Sequence, residues 1–221
     1  SSPSLSAFVI VWFLSTFTVR LYPFLLDRIN DGFEGKSMPH KESFHIAVLP
    51  GDGIGPEITR PCIELLDLVT QKVGGFQLQY EYLQAGAKAY LDTGKALPDE
   101  TLQRAKEADA ILLAAMGLPD GRYPDGTEMV PQIDLRESFE LYAGVRLVRA
   151  IPGAAFALAS PRAQNLDFVL VRESTEGLFS ARQKVNIEND ETARDEMVIT
   201  RKTSERLFDF SFTLARKRKR E

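Results

Sequence analysis

Phe44-His-Ile-Ala-Val-Leu-Pro-Gly-Asp-Gly-Ile-Gly-Pro-Glu57 reads as a strand, a glycine loop and the start of a helix. Phe44 to Leu49 is a nearly continuous apolar run, the pattern of a strand covered on both faces in a parallel sheet. The glycines that follow permit a tight turn. Pro56 suits the first helical position, and Glu57 falls in the first turn, where the helix dipole favours an acid.

Two features separate this stretch from an ordinary Rossmann turn. The third glycine of G-x-G-x-x-G falls at Pro56, and acidic Asp52 stands where phosphates would approach. A lone glycine cluster is also compatible with a strand-to-helix connection that binds nothing.

Downstream, Ile63, Leu66, Val69 and Val73 recur at helical spacing, with Pro61 expected to bend the first turns and Gly74-Gly75 to end the helix. Phe76, Leu78, Tyr80 and Tyr82 alternate with Gln77, Gln79 and Glu81, predicting a strand with one wet face. A helix after Pro98 and a buried strand from Ala110 to Ala115 extend the series. The order implies right-handed crossovers and a mostly parallel α/β sheet.

Gly117 to Pro131 is a long Gly, Pro and Asp loop, which makes Thr127, Glu128 and Gln132 candidate ligand contacts against the alternative of an exposed surface loop. Asp134 followed by Glu137 predicts a capped helix that buries Leu135, Phe139 and Tyr142 and carries Arg136 in its first turn. Gly144 should stop that helix, and Val145, Leu147 and Val148 begin a strand carrying Arg146. A buried strand from Phe168 to Val171 then delivers Arg172 into Arg172-Glu-Ser-Thr-Glu-Gly177. Guanidinium forks beside a helix terminus suit a substrate with more than one carboxylate. In the plainer reading, these arginines pair with Glu137, Glu140, Glu173 or Glu176 on a solvated surface.

Beyond them, Asn186 to Glu196 is an acidic loop or hairpin arm. Leu207, Phe210 and Leu214, with Phe208 and Phe212, predict an amphipathic helix followed by a basic run, Arg216 to Arg220. Nothing closes the sheet after it, so a truncated chain is expected.

The 221 residues are 44% hydrophobic and 26% charged, with a net charge of −4, which fits a folded globular protein and disfavours a general nucleic-acid binder. Cys62, the single cysteine, is expected as a packed thiol in the cytoplasm. His40 and His45, the only histidines, provide no familiar zinc spacing. Residues 1–19 are uncharged and Ala7 to Phe17 is strongly apolar, but the run lacks the flanks of a signal peptide or membrane span and is interrupted by Ser15, Thr16 and Thr18. Residues 1–43 are therefore set apart as an extension, a targeting segment or mistranslated sequence before a start at Met38, with Gly32, Gly35 and Ser37 as a linker.

Three motifs, in order and at their separations, resemble the isocitrate and isopropylmalate dehydrogenase family: Ile46 to Glu57, Leu135-Arg…Leu141-Tyr-Ala-Gly-Val-Arg146 and Val171 to Gly177. Tyr123 to Glu128 and Pro131 to Arg136 resemble its tartrate dehydrogenase-like branch. The resemblance implies a two-domain isopropylmalate dehydrogenase-like fold, here its N-terminal half. Residues 44–143 would form the start of a first domain and residues 144–221 that of a second, dimerising one.

It also implies an NAD- or NADP-dependent oxidation, with decarboxylation, of a 2-hydroxy acid bearing a second carboxylate, assisted by Mg²⁺ or Mn²⁺. The full-length protein would be a homodimer without nucleic-acid or membrane partners. Arg136, Arg146 and Arg172 would clamp the substrate with Gln132, while Ile54, Thr127 and Glu128 would lie near the cofactor. Phe179 stands where the family has a proton-transferring tyrosine, and Leu147 where a proline often follows the second arginine. The family's catalytic lysine, metal-binding aspartates and adenine loop fall beyond Glu221. A non-catalytic, carboxylate-sensing subunit is the rival reading, and a purely structural α/β module a third.

Overall fold

The computed structural model describes residues 9–11, 18–19, 42–118, 120–151, 153, 158–180 and 186–218. Two compact units divide between Glu140 and Leu141.

The first unit is built on a five-stranded sheet, ordered β2-β1-β5-β3-β4. Its strands are β1 (Val9–Val11), β2 (Thr18–Val19), β3 (Ser43–Leu49), β4 (Gln77–Tyr82) and β5 (Ala110–Leu113). Strand β3, between β5 and the edge strand β4, runs parallel to both neighbours, with Val48 opposite Tyr82 on one side and Leu112 on the other. Its apolar run is what such a doubly flanked position requires, and Ala47, Val48 and Leu49 are fully buried. Composition sets residues 1–43 apart, yet the backbone of Val9–Val11 pairs in parallel with β5 and covers an otherwise open edge. The expected linker around Gly32 to Ser37 lies outside the described residues.

Helix α1 (Gly55–Val73) packs its first half on the sheet, where Cys62 and Ile63 join Val48 and Leu112. Cys62 is the packed thiol expected, and burial pushes its pKa up. Val69 and Val73, expected on the same apolar face, are exposed, as are Leu65 and Leu68. Helical period identifies a face, not how far along the helix the sheet reaches. Helices α2 (Ala87–Thr93) and α3 (Asp99–Glu107) follow. The apolar periodicity does not reveal α2, although Gly86 and Gly94 bracket it.

Helix α4 (Pro131–Ser138) corrects the expected boundaries. It begins at Pro131, three residues before Asp134. Proline's fixed φ and missing N–H suit an opening turn, so this signal prevails over the anticipated capping box. Asp134 lies in the first turn without capping it, and Arg136 lies in the last turn, not the first. The helix ends at Phe139 and Glu140, with Glu140 taking a left-handed φ of 48°. Gly144, expected as the stop, is inside a strand instead. Leu135 and Phe139 are buried as expected, whereas Tyr142 is only half-buried.

In the second unit β6 (Ala143–Arg149) and β7 (Asp167–Glu173) pair antiparallel, with a 3-10 turn (Pro161–Asn165) between them. The expected arm is a hairpin of β8 (Asn186–Asn189) and β9 (Thr192–Arg194). Helix α5 (Arg201–Lys217) is opened by the Thr200 hydroxyl, which accepts from the Thr203 N–H. Its apolar spacing predicts thick burial. Only Leu214 is buried among its apolar residues, while Phe208 and Phe212 are exposed. Arg218 and Arg149 both pair with Asp167, so the middle of the expected basic run, Arg218, is held to β7.

Candidate functional site

In the first unit the loops leaving β3 and β5 meet at the carboxyl edge of the sheet, the place where open α/β sheets position ligands. Asp52 ties them together. It is buried, and its Oδ1 accepts from the Gly117 N–H at 2.6 Å while Oδ2 accepts from Ala87 N–H at the start of α2. The sequence placed an acid where it would repel phosphate. The structure turns that carboxylate inward, onto two backbone donors 35 and 65 residues away.

Asp52→Asn tests this arrangement. An amide has one acceptor oxygen, so one of the two backbone donors loses its partner, at about 1–3 kcal/mol for a buried group. Urea unfolding should show a loss of roughly 2–3 kcal/mol, and an unchanged midpoint would refute the role.

Close backbone approach explains the glycines of this loop. A Cβ on Gly55 would lie 2.0 Å from the Pro50 carbonyl oxygen and 2.4 Å from that of Ala115. Ile54, just before α1, exposes half of its side chain. It offers an apolar surface at the loop tip.

The long loop is ordered around a short hairpin. Arg122 and Glu128 form an antiparallel bridge, the Gly126 N–H donates to Tyr123 C=O, and Tyr123 packs edge-on against Tyr90 at 5.1 Å. Met129 is buried with Ala87 and Ala96. Thr127 donates both its N–H and its hydroxyl to Asp125, which holds that carboxyl below its ordinary pKa range. Thr127 is therefore part of the turn's own framework. Glu128 is exposed, and Gln132, in the first turn of α4, has a buried Oε1 with no hydrogen-bond partner among the described residues.

The second unit carries the other two candidate arginines. Arg172 lies opposite Gly144 and Arg146 opposite Leu170. Both therefore project from one face of the ladder as diagonal neighbours, a separation of about 7–8 Å with the Cβ atoms somewhat nearer. Sequence spacing alone cannot supply this, because it depends on register. Arg146 is half-buried, and its Nε is buried without a hydrogen-bond partner among the described residues.

Among the described residues Arg172 forms no ion pair with Glu173 or Glu176. Glu173 accepts from the N–H and hydroxyl of Thr175 and from the Glu176 N–H. Glu176 accepts from the Thr200 N–H at 2.8 Å and its hydroxyl at 2.6 Å. Burial opposes ionisation of Glu176, but these donors outweigh it and lower its pKa. With both acids committed to the turn and to the start of α5, the Arg172 guanidinium lies over the Phe179 ring instead, 5.1 Å from its centroid. Arg136 belongs to α4 in the first unit and is half-buried.

A model of the isocitrate/isopropylmalate dehydrogenase family matches residues 45–221. The chain belongs to this family. Among its relatives, the 3-isopropylmalate dehydrogenase of Prochlorococcus marinus is 38% identical, with 80% of this chain and 51% of the relative covered. The tartrate dehydrogenase/decarboxylase of Pseudomonas putida is 36% identical, with 81% and 50% covered. The isocitrate dehydrogenase structure from Methylococcus capsulatus aligns with a TM-score of 0.64 at 30% identity, covering 79% of this chain and 48% of that one. The chain thus spans about half the length of the curated relatives it matches. Its mixed α/β architecture, with the parallel sheet around β3, is that of the isocitrate and isopropylmalate dehydrogenases.

Among the described residues no helix is long and apolar enough to cross a membrane. Nor do three or more His, Cys, Asp or Glu side chains among them come together as a metal site.

Proposed function

We propose that the whole protein oxidises, and in doing so decarboxylates, a 2-hydroxy acid with a second carboxylate. The observation that carries this reading is the placement of Arg146 and Arg172 on one ladder face, the first with a buried Nε that has no partner among the described residues and the second with its neighbouring acids engaged elsewhere. Two adjacent guanidinium groups without carboxylates of their own are stabilised by a ligand that brings more than one negative charge. Arg136 and Gln132 are proposed as further substrate contacts. Ile54, Thr127 and Glu128 are proposed near the nicotinamide, Ile54 through its exposed apolar side chain and Thr127 through the backbone of its turn. NAD or NADP supplies the hydride acceptor when bound. The described residues do not form a Mg²⁺ or Mn²⁺ site, so they support no step through a metal.

Phe179 at the family's tyrosine position bears on the second half of the reaction. A phenyl ring neither donates nor accepts the proton required after carbon dioxide leaves, and such assistance is worth about a hundred to ten thousand-fold. The test is to give the full-length protein NAD and Mn²⁺ with malate, tartrate, isocitrate or isopropylmalate and to follow NADH together with carbon dioxide. NADH with incomplete decarboxylation is the expected result. No NADH with any of the four would overturn the reading in favour of a carboxylate-sensing subunit.

The exposed Phe208 and Phe212 of α5 support self-association of the full-length protein as a homodimer. Sedimentation as a monomer at micromolar concentration would count against it.

A further inference from the structure

We propose that Phe179 is a positioning residue for Arg172, supplying a ring surface that holds the guanidinium on the face it shares with Arg146. This rests on the dicarboxylate reading and adds a role for the residue that lacks the phenol.

Arg172 is exposed at the end of β7, and a long side chain there loses several rotamers when it is fixed. Its immediate neighbours do not hold it by charge, because Glu173 and Glu176 are bonded to Thr175, the Glu176 N–H and Thr200. What meets the guanidinium is the Phe179 ring at 5.1 Å, inside the range of a cation–π contact.

The turn between the two residues is fixed at three places. Ser174 N–H donates to Tyr142 C=O, the two glutamates clamp the middle, and Gly177 N–H donates to Val198 C=O. Gly177 has a φ of +73°, which reverses the chain so that position 179 returns beside position 172. A ring at 179 is therefore presented to Arg172 by a framework that depends on neither of them.

The ring carries no carboxylate oxygen to occupy the N–H fork of Arg172, so it does not stand in for the ligand's carboxylate there. Phe179 thus orients the arginine without competing for the ligand.

Two readouts on the full chain test the proposal. The first is the Nε–H resonance of Arg172, assigned by its loss in Arg172→Lys. Ring stacking displaces it, so Phe179→Leu or Phe179→Met should return it toward the position of an exposed arginine, whereas Phe179→Tyr should keep it. The second is malate affinity by calorimetry in a double-mutant cycle. Removing the ring should weaken binding about two- to fivefold, the scale of an exposed cation–π contact. In an Arg172→Lys background the same change should have a clearly smaller effect. Equal factors in both backgrounds, or a resonance that ring removal leaves in place, would overturn the proposal. If the unaltered protein binds none of malate, tartrate, isocitrate and isopropylmalate, the dicarboxylate reading fails, and the resonance alone decides the stack; if it binds another of the four and not malate, that one replaces malate in the cycle.

Discussion

Gly55→Ala is expected to be among the most destabilising single changes this fold can suffer, moving its urea midpoint far down. The added methyl would sit 2.0 Å from the Pro50 carbonyl oxygen and 2.4 Å from the Ala115 carbonyl oxygen. Neither is a side chain that can rotate away. One belongs to the turn that Gly55 itself closes, and the other to the loop after β5. Relief requires the two loops to separate, which would pull Gly117 off Asp52. Overpacking a well-filled site already costs about 1–3 kcal/mol where neighbours can move, so roughly 4 kcal/mol or more is expected here. That is a large part of the roughly 5–15 kcal/mol that holds a typical domain together. Gly126→Ala is the control, because Gly126 has a positive φ but a Cβ added there would meet nothing within 4 Å. It should cost only about 1–2 kcal/mol. Circular dichroism and urea titration of the two variants would separate them, and similar midpoints would show that the loops can part cheaply.

Arg172→Lys in the full-length protein is expected to lower kcat/KM at least about a hundredfold, equivalent to roughly 2.7 kcal/mol. Lysine keeps the charge, so a site needing only positive potential would lose little. It cannot present a planar fork to a carboxylate, and it exchanges the delocalised face that lies over Phe179 for a strongly hydrated ammonium. Arg146→Lys should show a comparable loss, since Arg146 is the diagonal neighbour on the same ladder face and its buried Nε has no partner among the described residues. Initial-rate kinetics with the preferred hydroxy acid provide the measurement. A lysine variant within threefold of the parent would remove the bidentate clamp from the account.

Much of the fold can be read in the sequence where the signals are local. Phe44 to Glu57 announces its strand, turn and helix because an apolar run, glycines and a proline each constrain their own neighbourhood. The boundaries of α4 are harder, since Pro131 and Asp134 both offer a beginning and Gly144 offers an end that Glu140 provides first. Asp52 shows a different obstacle. Its acidity is visible at once, but its partners lie far along the chain and only the sheet brings them near. The arginines are intermediate cases. Period two along β6 and β7 limits each to one of two faces, and only the pairing of Gly144 with Arg172 puts them on the same one.

The inward-turned carboxylate also restricts how this sequence can drift. A Cβ on Gly86 would stand 2.3 Å from Oδ2 of Asp52, so position 86 admits a side chain only if position 52 first shortens. Shortening it strands the N–H groups of Ala87 and Gly117. Each single step is thus uphill, and because Gly86 has a φ of +105°, which strains any side chain whatever the space, even the double change carries both costs. The residues at 52 and 86 behave as one joint unit of inheritance that drift leaves in place.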